Sequence, residues 1–120
     1  MANSENTGLK RLINAARYSS QGLKAAYQHE AAFRQELLLL LISIPLAMWV
    51  AESAVEVILL VGSILLLLVV ELLNSAIEAT VDRFGGEHHE LSGRAKDMGS
   101  AAVLVMSVTA AMVWLLLLVC

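Results

Sequence analysis

The sequence predicts an all-α integral membrane protein, with an N-terminal amphipathic surface helix followed by three transmembrane helices. Three observations predict it. Apolar types make up 58% of the 120 residues and charged types only 16%, and the mean hydropathy is +0.73. That balance excludes a disordered chain. The few charges avoid three long stretches, and all 8 basic residues lie in segments that one face of a membrane would hold. One cysteine excludes a disulfide scaffold. With 8 Lys and Arg against 11 Asp and Glu, no strongly basic nucleic-acid binder is indicated.

The first element is expected over about residues 7–28. Leu9, Leu12, Ile13, Ala16, Leu23 and Tyr27 recur at helical spacing, while Lys10, Arg11, Arg17 and Lys24 fall mostly elsewhere. This pattern fits a helix lying on the bilayer, basic toward the headgroups. It fits an ordinary basic flank of the first span equally well. Gly22 is a candidate bend. The second element is expected over about 30–51. Its uncharged run, Leu37 to Ala51, falls short of the roughly 20 residues that a bilayer core requires. The helix should therefore begin before Arg34, and Pro45 should bend it.

The third element is expected over about 55–84, where Val57 to Ile77 carries one charge, Glu71. Gly85-Gly86 is a turn signal after it. The fourth is expected over about 92–120, with no charge from Met98 to Cys120 and Ser92 as a candidate cap. The first apolar run starts too late for a secretory signal peptide, and no small-residue cleavage site follows it. All three spans are expected to be retained, in one membrane domain over residues 1–120. Trp49 and Trp114 read as interface anchors near the outer ends of their helices.

Orientation follows from the basic residues. Lys10, Arg11, Arg17, Lys24 and Arg34 precede the first span, and Arg83, Arg94 and Lys96 lie between the second and third. The loop Glu52 to Glu56 has none. A cytoplasmic N-terminus and an external C-terminus are predicted.

Some polar residues sit where lipid should be. A charged side chain at the bilayer centre costs about 2.5–3.5 kcal/mol on insertion scales. Asn74, Ser75, Glu78 and Asp82 follow Glu71 at offsets of 3, 4, 7 and 11, which places all five on one helical face. Such a stripe either pairs with neighbouring helices for packing or marks a site, and an intramembrane ionisable residue is by default a site. Glu30 lies just before the first span, at the expected depth of Glu78. Paired with Arg34 at i,i+4 it is a surface ion pair; with a carboxylate of another helix it suits a hard divalent cation. Glu87-His88-His89-Glu90 is not the HExxH zinc pattern, because adjacent histidines face apart. A solvated loop explains it, although Arg94 and Lys96 near the carboxylates suit phosphate. Three helices enclose a polar site poorly, so an oligomer with residues shared between subunits is expected.

The residues also carry a resemblance. Glu71-Leu72-Leu73-Asn74-Ser75-Ala76-Ile77-Glu78, Asp82-Arg83, the run Glu90 to Val103, and Asn14-Ala15-Ala16 through Glu30 to Glu36 resemble the prokaryotic diacylglycerol kinases, in their Gram-negative, enterobacterial-type branch. The resemblance spans nearly the whole chain. It implies a multi-pass kinase of the bacterial inner membrane, a homotrimer with composite sites near the cytoplasmic interface. Such a kinase transfers the γ-phosphate of MgATP to diacylglycerol, giving phosphatidic acid. It implies Glu71 as general base with Asn74 as its polar neighbour, and Glu30 and Glu78 as Mg²⁺ ligands. Arg11, Ser19, Glu87, His88, His89, Lys96 and Asp97 are implied as nucleotide contacts. Arg11, Ala15, Ser19, Ala32, Arg34, Gln35, Glu36, Trp49, Glu71 and Ser100 are implied at the lipid substrate. Arg17, Ser20, Gln21, Tyr27 and His88 depart from the best-known pattern. Within the family the rival acceptor is a polyprenol such as undecaprenol. Outside it, the stripe alone also fits a small proton or cation transporter, or a packing subunit.

Overall fold

A computed structural model describes residues 7–84 and 89–120. Four helices follow one another: α1 (Gly8–His29), α2 (Ala31–Val50), α3 (Ala54–Asp82) and α4 (Glu90–Val119). Three of them, α2, α3 and α4, are long and apolar enough to cross a membrane. With 29 and 30 residues, α3 and α4 run about 43–45 Å, well beyond a hydrocarbon core of about 30 Å. Crossing such a layer, they are long enough for their ends to reach past it. The helix α1 continues through Gly22, and α2 continues through Pro45.

A single residue separates α1 from α2. Glu30 is extended, at φ −118° and ψ 106°, yet its N–H still donates to the Ala26 carbonyl at 2.9 Å. The Arg34 guanidinium reaches back over this elbow and donates to the Tyr27 carbonyl at 2.7 Å and the Gln28 carbonyl at 3.4 Å. These are carbonyls of the last turn of α1, which a helix leaves without internal donors. Arg34 is thus a cap for α1. The ion pairs among the described residues are Glu90–Arg94 and Asp82–Lys96. Arg34→Ala is expected to speed amide exchange at Gln28 to Glu30 while leaving α3 protected; unchanged exchange at the elbow would refute the capping role.

At its start α3 shows a clear device. Ser53 accepts from the Glu56 N–H at 3.2 Å, and the Glu56 carboxylate accepts from the Glu52 N–H at 3.4 Å. This is close to a capping box. For α4 the expected cap was Ser92, and that is corrected: the helix begins at Glu90, and the His89 ring Nδ1 accepts from the Leu91 N–H at 3.0 Å. Ser92 lies inside the first turn. The turn signal Gly85-Gly86 lies outside the described residues.

The central element is α3, packed between α2 and α4. Ala26, Phe33 and Leu68 form a buried cluster with Leu37, Leu40 and Leu72 around it, which joins the end of α1 to α2 and α3. Lipid tails are as apolar as these side chains, so such contacts hold helices together by close packing rather than by escape from water. Small residues allow the approach: Ala47, Ser63, Gly99 and Ala110 are all buried. Trp114 belongs to this packing as well. Its indole N–H donates to the Leu60 carbonyl of α3 at 3.0 Å, which ties α4 to α3, whereas Trp49 is 82% exposed. Trp114→Phe keeps a ring and loses that bond. A stability loss of about 1 kcal/mol is expected, read by thermal unfolding in detergent; an unchanged midpoint would show the bond contributes nothing.

The accessible surface is 8720 Å², against about 6300 Å² for a soluble monomer of this mass. Leu, Ile and Val are exposed along all three long helices. Lipid, or a further protein surface, has to cover them. In α1 the apolar residues Leu9, Leu12, Ile13 and Leu23 are exposed too, and Ala26 is the buried one.

Candidate functional site

The polar stripe of α3 meets the α1–α2 elbow. Glu71 is 4% exposed and Asn74, one turn on, is 8% exposed. The distance along α3 from Glu71 to Asp82 is about 16 Å, so the carboxylate lies deep while the stripe ends at the helix terminus. Helix geometry puts Ser75 one turn above Glu71, and its hydroxyl lies 3.2 Å from Glu71 Oε2 and 3.0 Å from Glu30 Oε1. One hydroxyl proton serves one acceptor at a time, so Ser75 couples the two carboxylates without satisfying both.

From α2, the Glu36 carboxyl lies close to Glu71. Glu36 Oε1 is sealed from solvent with no donor, and Asn74 Oδ1 is in the same state. An unpaired buried acceptor costs about 1–3 kcal/mol. Two such acceptors flank the buried Glu71 in this patch, Glu36 Oε1 on α2 and Asn74 Oδ1 turned toward Gly99 of α4. What the arrangement offers chemically is proton acceptance from a bound alcohol.

Two hollows open from this patch. One, of about 570 Å³, lies between α1 and α3 and is lined by Ser19, Ala26, His29, Glu30, Leu72 and Ser75 among others. The other is an apolar groove of about 440 Å³ that starts at Glu36 and follows α2, α3 and α4 past Ser43, Leu67 and Ala110 to Trp114.

Of the residues singled out by sequence, the structure gathers Glu30, Glu36, Glu71 and Asn74, with Ser19 across the first hollow. Glu78 is half-buried further along the stripe. Lys96 Nζ sits 3.0 Å from Asp82 Oδ1 where α3 ends. With side chains 43% and 65% exposed, that pair holds by at most about 1 kcal/mol, and Lys96 can leave it for a stronger anion. Ala15 is half-buried, and Arg11, Ala32, Arg34, Gln35, His89, Asp97 and Ser100 are exposed. Trp49 stands about 20 Å along α2 from Glu36, and Arg11 about five turns before His29. Within one chain, neither reaches the cluster. Glu87 and His88 lie outside the described residues. Sequence reasoning passed over His29, next to Glu30, and Asp82 as the partner of Lys96; adjacency and the stripe itself were the signals.

Among the described residues no three His, Cys, Asp or Glu side chains converge as a ready metal nest. The donors present are carboxylates, which suit a hard cation. Mg²⁺ commonly takes one or two protein carboxylates and completes its shell with phosphate and water, so carboxylates such as Glu30 and Glu78 are donors of the chemical type that cation takes.

The chain is similar to known proteins along nearly its whole length. The family model described as prokaryotic diacylglycerol kinase matches residues 17–118. The diacylglycerol kinase of Escherichia coli strain K12 is 54% identical over 118 residues, 98% of this chain and 96% of that one. That of Haemophilus influenzae strain Rd is 52% identical over 110 residues, 92% and 93% of the two chains. That of Pseudomonas aeruginosa strain PAO1 is 53% identical over 108 residues, 90% and 88%.

Proposed function

Since this chain belongs to the prokaryotic diacylglycerol kinases and is a diacylglycerol kinase of a membrane, we propose that its reaction takes place at the cluster around Glu71. The observation that carries this reading is the Ser75 hydroxyl, 3.0 Å from Glu30 Oε1 and 3.2 Å from Glu71 Oε2. It brings a deep carboxylate and an elbow carboxylate to one point. Diacylglycerol is confined to the bilayer and ATP to water, so they meet where the stripe passes from one to the other.

Each residue has a part in this reading. Glu71 accepts the proton of the lipid hydroxyl, and Asn74 holds its place beside it. Glu30 and Glu78 hold Mg²⁺ on the ATP phosphates, where the cation offsets the charge of the transferring group. Lys96, released from Asp82, takes a phosphate oxygen. Arg11, Ser19, Glu87, His88, His89 and Asp97 complete the nucleotide site. Glu36 stands at the mouth of the apolar groove, which receives an acyl chain. Arg11, Ala15, Ser19, Ala32, Arg34, Gln35, Trp49 and Ser100 complete the lipid site.

Several of these residues lie too far apart in one chain to share a ligand. A homotrimer with sites composed across subunits reconciles them, and the large apolar surface supports such an assembly. The basic residues before α2 and between α3 and α4 support a cytoplasmic N-terminus in the bacterial inner membrane, with α1 on the membrane surface.

The test is transfer of labelled γ-phosphate from ATP by the purified protein in mixed micelles. Diacylglycerol and undecaprenol are offered separately, with and without Mg²⁺. Mg²⁺-dependent labelling of diacylglycerol is expected. Labelling of undecaprenol alone would change the acceptor, and transfer independent of Mg²⁺ would remove the metal role of Glu30 and Glu78.

A further inference from the structure

The glycine at position 99 has a steric reason that the other described glycines lack. A Cβ built at Gly8, Gly22, Gly62 or Gly93 meets nothing within 4 Å. At Gly99 it would collide with Oδ1 of Asn74, stand 3.2 Å from Asn74 Cγ and lie 3.8 Å from Ile77 Cδ1. Gly99 is buried in α4, directly against the stripe of α3. The Asn74 amide therefore points its oxygen at the backbone of α4 at Gly99. Its Oδ1 has no hydrogen-bond donor, so it is held there by shape and at most by a weak Cα–H contact. A group held only by shape turns away when the shape changes. The hollow beside it, lined by Asn74, Ala95, Met98, Gly99 and Ala102 among others, leaves the amide room to do so.

We propose that Gly99 is a positioning residue for phosphate transfer: its missing side chain fixes the Asn74 amide one turn from Glu71, and turnover depends on Gly99 through Asn74. This rests on the reading of Asn74 as part of the reaction machinery. Gly99 acts only through Asn74; it sets the direction of the amide that stands beside Glu71.

The experiment is a double-mutant cycle on the full-length protein in mixed micelles. The kcat and the KM values for ATP and diacylglycerol are measured for the parent, Gly99→Ala, Asn74→Ala and the pair combined. Gly99→Ala is expected to lower kcat about tenfold or more, with both KM values within about twofold of the parent. Combined with Asn74→Ala it should cost nothing further, because the atom it displaces is gone. A parental kcat for Gly99→Ala, or an undiminished penalty in the Asn74→Ala background, would overturn the proposal while Asn74 keeps its role. A parental kcat for Asn74→Ala would instead remove the role of Asn74 itself, and the proposal with it. If Gly99→Ala fails to fold, the combined variant decides: recovery of the folded protein supports a clash confined to Asn74, and continued failure refutes it.

Discussion

Replacing Glu71 by Gln is expected to cut phosphate transfer to diacylglycerol by orders of magnitude while the four helices stay folded. The substitution keeps size and shape, and the Gln carbonyl still accepts from Ser75. What it removes is basicity. General base catalysis contributes about 10²–10⁴-fold, and a loss in kcat of that size is expected, with the KM for ATP little changed. Stability should hold or rise, because a buried carboxylate becomes a neutral amide. Turnover together with thermal unfolding in detergent checks both halves. A variant within a few-fold of parental kcat would take Glu71 out of the base role. One that lost activity and melted early would show a packing role instead.

Replacing Glu78 by Gln is expected to raise the Mg²⁺ concentration needed for half-maximal transfer. In the proposed site the stripe supplies Glu78 and the α1–α2 elbow supplies Glu30 as hard donors, and Mg²⁺ relies on few protein ligands. Loss of one should weaken metal binding by at least about tenfold, with saturating Mg²⁺ recovering part of the rate. Glu30→Gln is expected to shift the requirement in the same direction. It should also disturb Ser75, so its recovery at high Mg²⁺ should be poorer. A Mg²⁺ titration of initial rates separates the two. An unshifted curve for Glu78→Gln would end its assignment as a ligand.

The spans and the polar stripe were legible because each depends on one helix alone. Charge scarcity marks a membrane segment, and a period of 3.6 aligns Glu71, Asn74, Ser75 and Glu78 whatever surrounds them. Relations between helices were not legible. That Ser75 reaches Glu30, that Glu36 faces Glu71 and that Gly99 underlies Asn74 depend on how far each helix slides and turns against its neighbour. Single-helix periodicity holds no information on that. The i,i+4 rule suggested a Glu30–Arg34 ion pair, yet the rule presumes both residues in one helix. Glu30 is extended, so Arg34 serves the end of α1 and the Glu30 carboxylate is left for α3. The His89 cap escaped for a chemical reason: a ring nitrogen did there what Ser, Thr, Asp or Asn usually do.

The burial of Glu71 bears on a competition every kinase faces. Water is a far more abundant nucleophile than a membrane alcohol, and a solvent-open base would spend ATP on hydrolysis. At 4% exposed, this carboxylate is closed to bulk water, and its neighbour Glu36 heads an apolar groove. In the proposed role Glu71 activates only hydroxyls that arrive through the bilayer. The depth of one side chain would then make the enzyme a transferase rather than an ATPase.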